Sequence, residues 1–225
     1  GAFRERRDEL LELMRQFELC YQVQDMDTYV CPQLLPGDVP AYDLGKDVPL
    51  QLKYEYVFMP KGLFYRLIVR LHRHIAQQQT AVWNSGAVLE RAGSKADIIE
   101  SLDQRTISVR ATGLRAKELV TIINEEMERL HAPFGERLRV TVKIPCNCMV
   151  CKESKTPHFY DKTNLEDRIE NGKTTVECEV KPYENVDVKG LLDGVFEKNR
   201  LFSPEDIKAL FQTGKMEAAL RALSE

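Results

Sequence analysis

The sequence is short of the features that mark membrane, secreted and nucleic-acid-binding proteins. No apolar run in it approaches the ~20 residues that a membrane-spanning helix needs. Its opening stretch, GAFRERRDELLELM, lacks the apolar segment of a signal peptide. Charge of neither sign dominates, since 32 basic and 35 acidic residues leave a formal charge of −3. That is too small a field to recruit nucleic acid or an anionic membrane surface. Internal repeats and low-complexity segments are absent, and tryptophan occurs once, as Trp83, expected in the core or in a hairpin.

Catalytic patterns are missing as well. No Ser-His-Asp or Cys-His arrangement has a recognisable spacing, and no carboxylate pair stands out. Asn171-Gly172-Lys173-Thr174 ends like a phosphate-binding loop, but that loop needs a glycine five positions before Gly172, where Asp167 stands. A helix before it and a strand after it fit a glycine C-cap and turn instead. His72 and His74 are two apart on a predicted helix, about 200° round its axis, so they cannot share an ion.

What is present describes an ordinary globular chain. With 225 residues, 43% apolar and 30% charged, it can bury a proper core without disulfide or metal staples. Six cysteines in a chain without a secretion signal point to a reducing, cytoplasmic setting and favour metal over disulfides.

Periodicity lays out the elements. In a helix over 4–20, Leu10, Leu13, Met14, Phe17 and Cys20 recur at three- and four-residue steps, and residues 31–49, with four prolines and two glycines, read as connecting chain. A strand follows in QLKYEYVF (51–58), then a helix over 61–77 with Pro60 at its start. A hairpin turns at Asn84-Ser85-Gly86. Strands over 96–101 and 106–112 lead to a helix over 114–131, and LRVTVKI (138–144) alternates most cleanly of all. Beyond it come a helix over 163–171, a strand over 174–180, a helix over 187–195 and a helical tail from Ser203. Alternating strands with few, long helices predict an α+β fold, a mostly antiparallel sheet covered by helices on one face.

The strongest chemical signal is PCNCMVCKESKTPHFY (145–160). Cys146 and Cys148 are two apart in extended chain and point the same way. Cys148-Met149-Val150-Cys151 has the spacing of a zinc knuckle, and Cys178, expected in the middle of a later strand, offers a fourth sulfur. His158 is the competing fourth ligand. Three readings stay open: a structural zinc site, a thiol-rich core, since these cysteines continue the inward parity of the strand before them, and a redox pair. A fourth, an independent zinc-dependent enzyme built on residues 145–178, rests on the cluster alone. Separately, Arg66, Arg70, Arg73 and Gln77 form one stripe on the 61–77 helix. The arginines read as a solvated polar face or as a docking face for an acidic partner.

LLELMRQFELCY (10–21), YVCPQLLP (29–36), YEYVFMPKGLFYRLIVRLH (54–72) and VWNSGAVLE (82–90) together resemble the COR domain of Roco proteins, mainly its second subdomain. Roco proteins are multidomain GTPases in which a Ras-like Roc domain precedes COR, usually with leucine-rich repeats upstream. The cysteine-rich stretch is similar to the C-terminal extension of prokaryotic members. The resemblance implies four parts: 1–24, the last helix of the first COR subdomain; 25–144, the second subdomain; 145–197, a Cys-rich extension; and 198–225, a helical tail or linker. It also implies a dimerisation and regulatory module without catalysis of its own, whose partners are a second copy and the Roc domain of the same chain. GTP or GDP and Mg belong to that Roc domain.

Overall fold

In the computed structural model, residues 2–45, 50–154, 156–181 and 184–196 are described; the expected tail over 198–225 lies outside them. Ala2–Gln16 form helix α1, and Tyr21–Gln22 (β1) and Tyr29–Val30 (β2) make a small hairpin. Leu50–Tyr56 (β3) leads to α2 (Leu63–Leu71) and a distorted single turn, α3 (Ala76–Gln79). Then come β4 (Val82–Trp83), β5 (Gly86–Arg91), β6 (Ser94–Ser101), β7 (Thr106–Thr112) and α4 (Ala116–His131). The remainder is β8 (Val140–Pro145), α5 (Met149–Glu153), β9 (Phe159–Asp161), α6 (Lys162–Glu170), β10 (Thr175–Glu177), β11 (Asn185–Asp187) and α7 (Val188–Val195).

Seven strands build one sheet in the order β4-β5-β6-β7-β3-β8-β9, every neighbouring pair antiparallel. The period-2 pattern sets its two faces. Ala96, Ile98, Ile107, Val109, Leu52, Tyr54 and Ile144 lie on one face and are buried, beneath α2 and α4, with α7 extending the layer over β3 and β8. From α4, Leu119, Ile123 and Met127 are fully buried in the same core. Each such side chain contributes about 1.5–3 kcal/mol on removal from water.

On the opposite face, the connecting chain after Cys31 crosses one end of the sheet. Tyr42 stacks on Trp83 with ring centroids 5.9 Å apart, and its hydroxyl donates to the fully buried Asp97 carboxylate at 2.9 Å. Arg110 holds the other side of Asp97. Over β3, β8 and β9 this face is polar. Lys143 pairs with Asp161 and Glu55, and Lys53 lies 4.7 Å from the centre of the Phe159 ring.

Three boundaries differ from the sequence reading, each for a local reason. The first helix stops at Gln16 because Glu18 takes a left-handed backbone (φ 55°). The amides of Glu18 and Leu19 return to the carbonyls of Arg15 and Met14, a Schellman-type ending. The helix expected over 61–77 ends at Leu71, where the chain tightens into a 3-10 turn over His72–His74 and turns extended at Ile75, and Gln77, Gln78 and Gln79 then all have positive φ. The strand expected over 174–180 ends at Glu177, so Cys178 lies just past it, in the connection to β11. The edge strand β9 lacked any periodic signal, being three residues long. Through it the Cys-rich segment joins the main sheet, and the boundary expected at 144/145 falls within β8. Among the described residues no helix is long and apolar enough to cross a membrane.

Candidate metal centre

Cys146, Cys148, Cys151 and Cys178 converge, with all four sulfurs within 4.8 Å of one another and all four residues buried. Local structure explains each placement. Cys146 prolongs β8, and its amide donates to the His158 carbonyl at 2.7 Å, carrying the β8–β9 pairing one residue further. Cys148 caps α5, its sulfur accepting from the Cys151 amide at 3.3 Å. That turn aims Cys148 and Cys151 at one point. Cys178 arrives from the far side on the β10–β11 hairpin, which Tyr160 holds by donating to the Glu177 carbonyl at 3.1 Å.

The distances suit a metal. A tetrahedral ion with bonds of about 2.3 Å to sulfur has sulfur–sulfur edges of about 3.8 Å. Sγ of Cys178 lies 3.6 Å from that of Cys148 and 3.8 Å from that of Cys151. These are far outside the ~2.05 Å of a disulfide, and all four cysteines are free. Backbone amides point at the sulfurs too: Cys148 N–H at Cys146, and Lys181 N–H at Cys178 at 3.4 Å. Such outer hydrogen bonds stabilise ligating thiolates.

Electrostatics divides the four. Burial pushes the Cys146 thiol up to about 12. Burial acts the same way on Cys178, but amide donors from Lys181 and Val180 outweigh it and bring that thiol below its ordinary value. Four adjacent buried thiols cannot all ionise by themselves, whereas a divalent cation supplies the missing counter-charge. Four close cysteines of this geometry can bind a metal ion.

His158, the alternative ligand, stands beside the cluster and outside it. Its ring faces Glu179 (3.4 Å) and packs edge-on against Tyr160, while its backbone serves Cys146 and Cys151. The arginine stripe is divided. Arg66 and Arg70 both grip Glu18, with Nε–Oε distances of 2.7 Å each, and Arg70 also reaches Glu126 at 3.6 Å. Those two charges tie the end of α1 to α2 and α4. Arg73 lies past the helix end and is exposed, and Gln77 belongs to the distorted turn. Sequence reasoning missed Glu18 and Asp97. Asp97 had one visible signal, an acid set in the apolar run Ala96-Asp97-Ile98-Ile99; Glu18 had none, because it continues the helical pattern.

Known proteins place this arrangement in a family. "Probable serine/threonine-protein kinase roco7" of Dictyostelium discoideum is 27% identical over 193 residues, 76% of this chain and 7% of that protein. "Probable serine/threonine-protein kinase roco5" of the same organism is 29% identical over 103 residues, 45% of this chain and 4% of that protein. The chain thus spans less than a tenth of either relative, and the kinase activity in their names is theirs. Residues 48–194 match the family model described as "C-terminal of Roc, COR-B domain". That match covers the seven-stranded sheet and the four cysteines together, and this chain belongs to the COR-B domain family.

Proposed function

We propose that this chain is the dimerisation and regulatory module of a cytoplasmic Roco-type GTPase, coupling self-association to the nucleotide cycle of a Roc domain in the same polypeptide. The observation that carries this reading is the COR-B match over 48–194, a domain described as lying C-terminal of Roc. GTP or GDP with Mg is bound by the Roc domain, and this chain contributes contact surfaces. The mixed-charge face around Lys53, Glu55, Lys143 and Asp161 suits a self-complementary two-fold contact. Arg73, exposed beyond α2, remains available to an acidic partner surface.

Within this module the four cysteines hold a structural zinc. Four thiolate ligands leave no coordination position for water or substrate, which argues against an independent zinc enzyme. Light scattering on this chain, alone and joined to its Roc domain with GDP or a GTP analogue, tests the regulatory reading. The expected result is a dimer whose dissociation constant changes with the nucleotide, and no hydrolysis by this chain alone. A strict monomer in both nucleotide states at high concentration refutes it.

A further inference from the structure

Cys20 and Cys31 take no part in the metal centre, yet the fold sets them face to face. They flank the β1–β2 hairpin, in which Tyr21 pairs with Val30 and Gln22 with Tyr29. The next opposed pair outward is therefore Cys20 and Cys31. The Val23 amide donates to the Thr28 carbonyl at 2.9 Å, so 23 with 28 is a hydrogen-bonded pair. Alternation along an antiparallel ladder makes 21 with 30 hydrogen-bonded and 20 with 31 non-hydrogen-bonded. Partners of the latter kind have Cα atoms about 4.5 Å apart, inside the ~4.4–6.8 Å that a disulfide spans. Both thiols are free.

Their position gives the pair a lever. Cys20 follows the left-handed Glu18 turn that ends α1, and Cys31 precedes the 3-10 turn Pro32–Leu34. Between them Tyr21 is fixed to the core, its hydroxyl 3.4 Å from the Gln79 carbonyl and its ring stacked on His72 at 5.0 Å. A bond from Cys20 to Cys31 closes the joint by which α1 enters the fold.

We infer that Cys20 and Cys31 form a thiol–disulfide switch, oxidised by a peroxide, that locks this joint. Cys31 is partly exposed and Cys20 buried, so Cys31 meets the oxidant first. Its thiolate attacks the O–O bond, giving a sulfenic acid and one water once protons are balanced. The Cys20 sulfur then attacks the Cys31 sulfur, the S–S bond forms as the S–O bond breaks, and a second water leaves. Two thiols give up two electrons and two protons, which one peroxide carries away as two waters. Burial raises the Cys20 thiol, which lowers its thiolate fraction and leaves first attack to its partner. A cross-strand bond of this kind is readily returned to thiols by glutathione.

The test treats the reduced chain with hydrogen peroxide in zinc-containing buffer, alkylates residual thiols and maps the peptides. The expected product has lost two hydrogen atoms, contains a Cys20–Cys31 linked peptide, and shows about hundredfold slower amide exchange across 21–30, as closure of so short a loop implies. Cys31→Ser and Cys20→Ala each abolish the link, Cys31→Ser leaving the reduced chain's melting temperature nearly unchanged and Cys20→Ala lowering it by only about 2–4 °C for its one buried sulfur. Either variant suffices if the other fails to fold. Peroxide-treated, folded protein in which both cysteines are still alkylated, carry separate acids, or link two chains overturns the inference.

Discussion

Replacing Cys178 by alanine removes the metal ligand farthest in sequence from its partners, and the loop it closes sets the cost. Cys151 and Cys178 are 27 positions apart. A cross-link across a loop of that length restricts the unfolded chain by about 3.5 kcal/mol at 25 °C. A chain of this size loses about 2–4 °C of melting temperature per kcal/mol, so the expected fall is about 7–14 °C. If the sulfurs are only core thiols, the change truncates one small side chain and costs about 1 kcal/mol, or about 2–4 °C. The assay follows melting by circular dichroism under reducing conditions, with metal content read by mass spectrometry. Wild type should carry one zinc and lose a comparable margin to a chelator, and Cys178→Ala should carry little metal and ignore the chelator. Metal-free wild type whose melting a chelator does not change refutes the zinc reading and returns these cysteines to the core.

Three further changes probe the rest of the fold. At Gly86 an added Cβ meets Trp83 ring carbons at 2.0–2.6 Å, so Gly86→Ala should cost about 1–3 kcal/mol and shift the emission of this single tryptophan to the red; unchanged emission and melting contradict the packing described. Burial pushes the Glu100 carboxyl up to about 7, against about 4.3 in the unfolded chain. Its contribution is fully present below about pH 4.3 and is lost as pH rises through about 7. Glu100→Gln should therefore gain on wild type between pH 5 and 8, by about 1 kcal/mol after allowing for solvent screening; parallel melting curves across that range contradict this. Burial also opposes ionisation of Glu18, but hydrogen bonds from Arg70 and Arg66 prevail and hold it below the usual carboxylate range. Its contribution is thus present above about pH 4.3 and lost as pH falls through the folded value. Glu18→Gln should cost about 1–3 kcal/mol at pH 7, with the gap closing in acid; a gap that is constant with pH contradicts the ion-pair account.

The sheet was legible because its strands have one buried face. Leu52 and Tyr54 against Lys53 and Glu55, or Val140 and Val142 against Thr141 and Lys143, alternate in a way that only the period-2 backbone explains. Cys146, Cys148 and Cys151 were legible for a different reason, since the C-x-C and C-x-x-C spacings bring them together locally whatever surrounds them. What the sequence hid depends on backbone states that leave no compositional mark. Glu18, Gln77, Gln78 and Gln79 adopt left-handed conformations without being glycine, and Ile75 turns extended after a 3-10 turn, so two helices stop where the apolar period runs on. At Glu18 a strained backbone of about 1 kcal/mol is tolerated because the carboxylate satisfies two arginines. A pattern of apolar positions cannot register that exchange, since the compensating partners lie 48 and 52 residues away.

The same reasoning explains what a metal ion would add to a chain with an ample core. Four of the six elements beyond β8 are very small: five residues in α5 and three each in β9, β10 and β11. None could persist alone, because an isolated turn of helix or a lone short hairpin does not recover the entropy of ordering it. Exposed apolar residues such as Met149, Val150 and Val180 show that this segment does not gather its own hydrophobic core. The Cys148 cap, the Cys146 extension of β8 and the Cys178 turn each bring one end of a small element to a common point. An ion at that point would add four bonds to sulfur to the apolar contacts of Leu165, Val188 and Leu191. It would help fix β9 as the outer strand of the sheet, where Lys143 and Asp161 pair across the edge. The family match running through this segment to residue 194 then has a physical basis, because the sheet of the domain ends at β9 and β9 is continued toward the four cysteines by the Cys146–His158 pairing.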